Sequence, residues 1–454
     1  MPVSTMSRED RRVVAGTMVG TTIEWYDFFI YSNAAALVFG KLFFEPLGPA
    51  NATLAAFATV GVSFIFRPLG AIVAGHLGDR LGRRAMLVLT LFLMGGATVA
   101  VGFLPGYAQI GVAAPILLVV LRILQGFSAG GEWGGAALLA VEHAPANRRG
   151  LFGSFPQMGV PAGMLLATVV LGITTATMSN EAFLAWGWRI PFVLSIVLFA
   201  VGLIIRSKVA ESPVFAELQA SKEASKMPLA QLFRFHWKPL VLCSVTFVGV
   251  GVAGYMITGG YVLSYATTVL KMDRTAVLVA VSIAAAAWIA TTAWGGALSD
   301  RIGRKRTFQI GFAAQILWVF PMFLMINSGN ILRLGASLVI LTIGLGLSYG
   351  PQSAMFAEAF PARVRYSGAS IAYALGSILG GAFAPMIATW LQTATGTTMS
   401  VSAYLALFTV FALVAVTLLK NRDGQPLAPS HDGLYGSGAA DAGALPEPAA
   451  AGRR

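Results

Sequence analysis

The sequence has few charged residues and almost no cysteine. Asp, Glu, Lys and Arg make up 11% of its 454 residues, whereas soluble proteins carry about 25%. Its 31 basic and 19 acidic residues are too few to cover a soluble core of this size, so we predict that the chain lies in a lipid bilayer. The single cysteine, Cys243, falls in an apolar run, which excludes an intramolecular disulfide and indicates a packing role.

The sequence also lacks the patterns of catalytic chemistry. It has no nucleophile–base constellation, no Cys/His metal cluster and no phosphate-binding glycine motif. We therefore expect no enzyme activity, no metal and no cofactor. The net charge of +12 is not clustered on a polar domain, as nucleic-acid binding requires, so no nucleic-acid partner is expected.

Twelve apolar runs follow one another along the chain. They lie at 14–40, 53–77, 85–104, 112–141, 151–176, 187–206, 238–268, 275–298, 307–327, 331–357, 366–391 and 400–420. A helix crosses a bilayer with about 20 apolar residues. The runs therefore predict an all-α integral membrane protein with twelve transmembrane helices.

Polar segments divide this chain into two halves of six helices. Residues 1–206 form the amino-terminal half, 207–237 a central cytoplasmic loop and 238–420 the carboxy-terminal half. The tail at 421–454 is rich in Gly, Ala, Pro and Asp, and we expect it to be disordered. The first run is too long for a cleavable signal and contains Glu24 and Asp27, which indicates a retained first span.

The basic residues are distributed unevenly between the two sides of these spans. Most of them fall in the terminal segments and in the loops on the same side, whereas the opposite side has Lys41, Arg189, Lys271, Arg274 and Arg333. Cytoplasmic loops collect Lys and Arg. We therefore predict a multi-pass inner-membrane protein whose two termini are both cytoplasmic.

A repeated element links the two halves. Gly75-His76-Leu77-Gly78-Asp79-Arg80-Leu81-Gly82-Arg83-Arg84 recurs as Gly296-Ala297-Leu298-Ser299-Asp300-Arg301-Ile302-Gly303-Arg304-Lys305, each time between the second and third span of its half. Parallel repeats of this kind occur in transporters of the major facilitator fold, whose substrate site lies between the halves.

At these residues the sequence resembles the major facilitator superfamily, because the repeated element is that family's loop signature. Further stretches resemble its metabolite:proton symporter group, namely Gly20–Phe28, Arg67–Gly70, Arg122–Glu132, Trp186–Phe192 and Tyr349–Gln352. Members of that group take up shikimate, oxoglutarate, citrate, phthalates, proline or betaine with protons. Ala114–Leu118 and Phe183–Trp186 look closest to the shikimate-permease-like branch.

Charged residues inside the spans are concentrated in the first half: Glu24, Asp27, Arg67, Arg122 and Glu132. Each costs about 2.5–3.5 kcal/mol to insert, so such residues are candidates for function. We therefore expect the amino-terminal half to bind the proton.

Glu24 and Asp27 are three residues apart, so they share one helix face near the middle of the bilayer. Two such carboxylates repel each other, which favours protonation of one. By the resemblance, Asp27 matches the first-helix acid of proton-coupled sugar porters, and Arg122 the fourth-helix arginine that faces it. An anionic substrate that engages Arg122 would then leave Asp27 to take up a proton. The alternatives are a static Asp27–Arg122 ion pair or acids bonded to a neighbouring backbone.

Other candidates complete the site. Glu132 is either a second relay acid or a brace for a helix contact, and Arg67, beside Pro68, has a structural or a substrate role. Trp25 and Tyr31 are substrate-binding candidates because they lie near the acids. Tyr349 and Gln352 are candidates from the second half, where each residue could equally serve packing.

The resemblance also implies a gate at the cytoplasmic side. One cluster contains Asp79, Arg80, Arg83 and Arg84, and its copy contains Asp300, Arg301 and Arg304. Glu142 is expected to join Arg148 and Arg149 on one side, and Glu358 to join Arg363 and Arg365 on the other. The alternative is that these charges serve topology alone.

Together these features predict a monomeric symporter that takes up a small organic acid, such as shikimate, a di- or tricarboxylate or an aromatic carboxylate, driven by the proton gradient. One alternative is a proton-coupled exporter, whose fifth-helix element Gly159–Gly163 matches only in part. Another is uptake of proline or betaine, although the tail lacks the apolar heptads of osmosensing members. A membrane receptor would be expected to add a signalling domain.

Overall fold

The computed structural model describes residues 8–81, 83–130, 132–206, 228–254 and 260–427. Within these ranges it leaves out the side chains of 8–12, 71–88, 90–91, 205–206, 228–230 and 363. The regular elements of the described ranges are all helices, as the sequence predicts.

We number the helical units of the bundle α1 to α12. Those of the amino-terminal half are α1 (Arg8–Ala34), α2 (Gly48–Leu81), α3 (Arg83–Phe103), α4a (Ala113–Ser128), α4b (Glu132–Glu142), α5 (Arg149–Thr177) and α6 (Ile190–Arg206). Those of the carboxy-terminal half are α7a (Trp237–Ala253), α7b (Val262–Thr268), α8 (Arg274–Ile302), α9 (Arg304–Ile326), α10a (Ile331–Tyr349), α10b (Gln352–Ala359), α11a (Ala362–Ser377), α11b (Ala384–Thr395) and α12 (Met399–Leu418).

The outer surface of the bundle is apolar. Leu317, Leu332 and Leu418 are 77%, 79% and 65% exposed. Exposure of such side chains is unfavourable in water but not in lipid. In the described part of the chain, nine helical segments are long and apolar enough to cross a membrane, and Phe92–Phe103 and Trp237–Ala253 are shorter apolar helices. The molecule is therefore built for a bilayer.

Several runs predicted as single spans are interrupted. The fourth breaks after Ser128, the seventh after Ala253 and the tenth at Gly350-Pro351, where glycine and proline weaken a helix. The first and eleventh contain π-helical turns at Ala35–Phe39 and Ile378–Ala382, a feature often found at functional sites. Hydropathy locates these runs but not their breaks, because a broken helix remains apolar.

Glycines bring the helices close together in a similar way in both halves. An added Cβ at Gly126 of α4a would lie 2.0 Å from the Ser63 carbonyl oxygen of α2, and one at Gly346 of α10a would lie 2.4 Å from that of Thr291 in α8. Between the halves, an added Cβ at Gly150 of α5 would lie 2.5 Å from the Gly296 oxygen of α8. Small residues are what permit such close helix packing.

The polar segments differ from their predicted form where the structure describes them. Pro228–Phe235, expected in the central loop, is helical, while 207–227 lie outside the described residues. We predict disorder from residue 421, yet Asn421–Leu427 fold back onto the bundle and bury Leu427. The prediction of disorder was wrong for these residues because their contacts are made largely by backbone atoms, which composition does not report. Residues 428–454 lie outside the described residues.

Candidate functional site

Three of the candidate acids line one cleft inside the amino-terminal half. Glu24 and Asp27 project from α1 and Glu132 from the start of α4b. The remaining wall residues are Gly20, Ile23, Met94, Gly95, Ser195, Phe199 and Gly202. The structure therefore brings Glu132 to the two acids that the sequence places on one helix face, an arrangement that suits a relay acid.

The resemblance implies that Arg122 faces Asp27, but in the structure the two side chains do not pair directly. Asp27 Oδ1 accepts a hydrogen bond from Ser195 at 2.8 Å and its Oδ2 one from Thr98 at 3.0 Å. Thr98 in turn accepts from Gln125 Nε2 at 2.7 Å, and Gln125 Oε1 accepts from Arg122 at 2.8 Å. Acid and arginine are thus connected through two neutral side chains, which we call the Thr98–Gln125 bridge.

Arg122 is turned toward α1 and α2 by its other contacts. Its Nη2 donates to Ser63 Oγ at 2.8 Å, and its guanidinium lies 3.9 Å from the centre of the Tyr31 ring. Tyr31 is fixed in turn by a 2.7 Å hydrogen bond with Thr59. This buried cation is therefore balanced by hydroxyl and amide dipoles and by an aromatic face, which leaves its charge available to an anion.

Arg67 lies beside the other acid of α1. Its Nη2 is 3.9 Å from Glu24 Oε1, and its guanidinium lies 4.6 Å from the Phe64 ring and 5.4 Å from the Trp25 ring. Trp25 is fully buried and packs on Phe28. Arg67 and Trp25 thus belong to the surroundings of Glu24, a placement that supports a role in holding this acid.

Both halves bury polar atoms without a hydrogen-bond partner among the described residues. They belong to Ser32 and Asn33 of α1 and, in the second half, to Tyr261, Trp288 and Gln352. An unsatisfied buried polar group costs about 1–3 kcal/mol, so each would gain from a bound polar ligand. Of the two predicted residues here, Gln352 has this free bonding capacity, whereas the Tyr349 ring packs against Trp288, with ring centres 5.7 Å apart.

Two gate acids, Glu142 and Glu358, each pair with an arginine of the other half. Arg149 of α5 lies 3.4 Å from Glu358 of α10b, and Arg365 of α11a lies 3.6 Å from Glu142 of α4b. This corrects the predicted grouping of Glu142 with Arg149 and of Glu358 with Arg365. The reason is geometric: the ends of α4b and α10b abut the opposite half, so each acid meets the other half's arginine.

The repeated element contributes a further cross-half contact. Asp300 accepts hydrogen bonds from the Gly150 and Leu151 backbone N–H groups at 2.8 and 2.9 Å, where the first turn of α5 leaves donors free. Arg304 lies 3.0 Å from Asp300 and 3.3 Å from Glu358. Asp300 therefore contacts the other half directly at this end of the bundle, and Arg304 lies between the two acids.

Of the remaining predicted gate residues, Arg301 is exposed and Arg148 is half-buried. The side chains of Asp79, Arg80, Arg83, Arg84 and Arg363 lie outside the described residues.

The halves also touch at the opposite end of the bundle. Arg274 at the start of α8 donates to Asn180 at 2.6 Å, and the hydroxyls of Thr175 and Thr275 are 3.2 Å apart. We call this end the top, and the end that carries Arg149 and Glu358 the base. The halves therefore contact each other at both ends of the bundle.

Double-mutant cycles should detect the crossed pairing at the base. We expect the coupling between Arg149→Gln and Glu358→Gln in the free energy of unfolding to be about 0.5–3 kcal/mol. Arg149→Gln and Glu142→Gln should be additive within about 0.5 kcal/mol, since Glu142 pairs with Arg365. Denaturant titration of the purified protein in micelles measures both. A larger coupling for Arg149 with Glu142 would contradict the observed arrangement.

Comparison with known proteins agrees with this architecture. Residues 17–385 match the Major Facilitator Superfamily. The chain is 40% identical to the inner membrane metabolite transport protein YhjE of Escherichia coli K12, covering 92% of this chain and 95% of that protein. It is 39% identical to the shikimate transporter of the same organism, covering 90% and 94% respectively.

A solved structure has the same fold. The proton:xylose symporter XylE of Escherichia coli superposes with a TM-score of 0.72 over 92% of this chain and 98% of its own, at 18% identity. The family match covers most of the chain. The two relatives are transport proteins, and each matches this chain over nearly its full length. The chain is therefore a multi-pass membrane transporter and belongs to the Major Facilitator Superfamily.

Proposed function

We propose that this transporter takes up a small organic acid together with protons, by opening its two halves alternately at the top and at the base. The observation that carries the proposal is the acid cleft of the amino-terminal half and its hydrogen-bonded connection to a buried arginine. The shikimate transporter among the relatives supports an organic-acid substrate, and the XylE symporter supports proton coupling.

Asp27 is the proposed proton site. It is 5% exposed, and burial disfavours its charged form while the Ser195 and Thr98 hydroxyls stabilise it. Such opposing effects suit a carboxyl group that changes its protonation during transport. Glu132 and Glu24 share its cleft and would pass the proton between Asp27 and water.

Arg122 is the proposed sensor of the substrate anion. Its guanidinium is charged and forked, which fits a carboxylate in a bidentate manner. If a carboxylate draws Arg122 away from Gln125, the Thr98–Gln125 bridge loses its cationic end, and the charged form of Asp27 loses stabilisation. Proton uptake then follows anion binding, without a direct Asp27–Arg122 pair.

Polar groups of the substrate would bind the partnerless side chains described above. Asn33 and Gln352 offer amides and Tyr261 a hydroxyl, so the site can satisfy hydroxyl groups as well as a carboxylate. This mixture favours a hydroxylated acid over betaine, which has no hydroxyl group.

The proposed orientation places the base in the cytoplasm. Basic residues accumulate at the base, as is typical of cytoplasmic loops. The amino-terminal end of α1 and the carboxy-terminal end of α12 lie on the same side. The gate that is closed at the base then faces the cytoplasm, and the protein acts as a monomer in the inner membrane.

Uptake into vesicles tests the proposal. We expect labelled shikimate, or one of oxoglutarate, citrate and phthalate, to accumulate when an inward proton gradient is imposed, and only to equilibrate without it. Proline and betaine serve as zwitterionic comparisons. Failure of every acid to accumulate, together with substrate export in inverted vesicles, would replace uptake by the exporter alternative.

A further inference from the structure

The segment after the last helix contacts the gate at four successive points. In Asn421–Leu427, which we call the strap, Asp423 Oδ2 accepts from the Arg304 backbone N–H at 3.1 Å and the Gly424 N–H donates to Glu358 at 3.2 Å. The carbonyl oxygens of Gln425 and Leu427 accept from the guanidinium groups of Arg149 and Arg365, at 2.5 and 2.8 Å respectively. The strap therefore bonds three of the four side chains that form the crossed pairs, namely Arg149, Glu358 and Arg365.

One of these contacts completes a helix. Gly303 precedes α9 and has no side chain to accept a hydrogen bond from its first turn. Asp423 supplies that acceptor from the strap, and a carboxylate there also suits the positive end of the helix. An added Cβ at Gly303 would lie 2.7 Å from Asp423 Oδ2, so the glycine leaves room for this cap.

The strap ends in a buried anchor between the halves. Leu427 is 5% exposed and packs with Leu138 and Val141 of α4b and with Ala354 and Ala357 of α10b. Its side chain therefore fills the seam that must widen when the base opens. Arg149 is the second link to the amino-terminal half, while Arg304, Glu358 and Arg365 hold the strap to the other half.

We propose that the strap is a latch that keeps the base closed. Most of its hydrogen bonds are to the carboxy-terminal half, so it travels with that half when the base opens. Among the contacts that the structure describes, those that must break are Gln425 with Arg149 and Leu427 with Leu138 and Val141. The latch thus sets how often the base opens and depends neither on the substrate nor on the proton site.

Cysteine alkylation measures base opening directly. Ser353 of α10b is 1% exposed, and an added Cβ at Gly153 of α5 would lie 3.0 Å from its Cβ, so it is covered while the base is closed. In a full-length Cys243→Ser, Ser353→Cys protein, we expect Leu427→Asp to raise the rate of alkylation by a water-soluble maleimide at least fivefold. Leu427→Ala should raise it at least twofold.

Gln425→Ala is the matched control, because the Gln425 contact uses the backbone oxygen, and its alkylation rate should equal that of the parent. Thermal unfolding identifies variants that fail to fold. If Leu427→Asp is one of them, the alkylation rate of the Leu427→Ala protein tests the latch. Parent-like alkylation of the folded Leu427 variants would overturn the latch. Adding Asp27→Asn should leave the strap effect unchanged, which separates this result from failure of the proposed function.

Discussion

Replacing Asp27 by Asn is expected to abolish accumulation of substrate against its gradient. The amide keeps the size of the side chain and can still bond Ser195 and Thr98, but it cannot take up a proton. Uptake driven by an imposed proton gradient should fall at least 100-fold, whereas exchange of labelled for unlabelled substrate should continue. Parallel measurement of both activities in proteoliposomes distinguishes lost coupling from lost transport.

Glu45→Gln is the control for this experiment, because Glu45 is an exposed acid in the short 3₁₀ turn before α2. It should retain the accumulation of the parent protein. If the Asp27→Asn protein still concentrated substrate under a proton gradient, Asp27 would not be the coupling residue, and Glu132 or Glu24 would have to replace it in the mechanism.

Replacing Gly70 by Ala is expected to destabilise the amino-terminal half. An added Cβ at this position would lie 1.8 Å from the Phe127 carbonyl oxygen, and neither α2 nor α4a can move without disturbing the packing around Arg122. Overpacking typically costs about 1–3 kcal/mol and occasionally more, and here the clash is with rigid backbone. We expect a lower midpoint of thermal unfolding and a lower yield of monodisperse protein.

Gly96→Ala provides the matched control within α3. Nothing lies within 4 Å of an added Cβ there, and alanine favours a helix over glycine by about 0.5–1 kcal/mol. The two substitutions should therefore change stability in opposite directions. Equal effects would show that helix propensity, and not the α2–α4a contact, determines the response.

The sequence predicts much of the fold because bilayer-spanning helices are long apolar runs. It misses the breaks at Ser128, Ala253 and Gly350, since the residues on both sides of each break are apolar too. It also misses the strap, because the hydrogen bonds of Gly424, Gln425 and Leu427 are made by backbone atoms, which composition does not report.

The sequence analysis identifies the charged residues of the candidate site but misses the neutral residues that bond them. Glu24, Asp27, Arg122 and Glu132 stand out because charge is rare in apolar helices. Ser195 and Thr98 do not, because serine and threonine in helices commonly bond their own backbone. Gln125 could have been found, since it follows Arg122 by one helical turn.

The crossed gate pairs required information that a single sequence does not contain. Glu142 and Arg149 are neighbours in the chain, and proximity along it favoured their pairing. The arginine that each acid contacts depends instead on the relative position of the two halves. Close helix contacts such as that of Gly150 with Gly296 fix this position.

The crossed pairs give the base the character of an isologous interface, as in a twofold-symmetric dimer whose subunits have been fused. Each half contributes one acid and one arginine, so two corresponding contacts, Arg149–Glu358 and Arg365–Glu142, lie side by side in the closed base. A single substitution in the fused chain removes one of them and leaves its counterpart in place. The Asp27 cleft lies within one half and takes no part in these two contacts, so a substitution in the cleft leaves both crossed pairs in place.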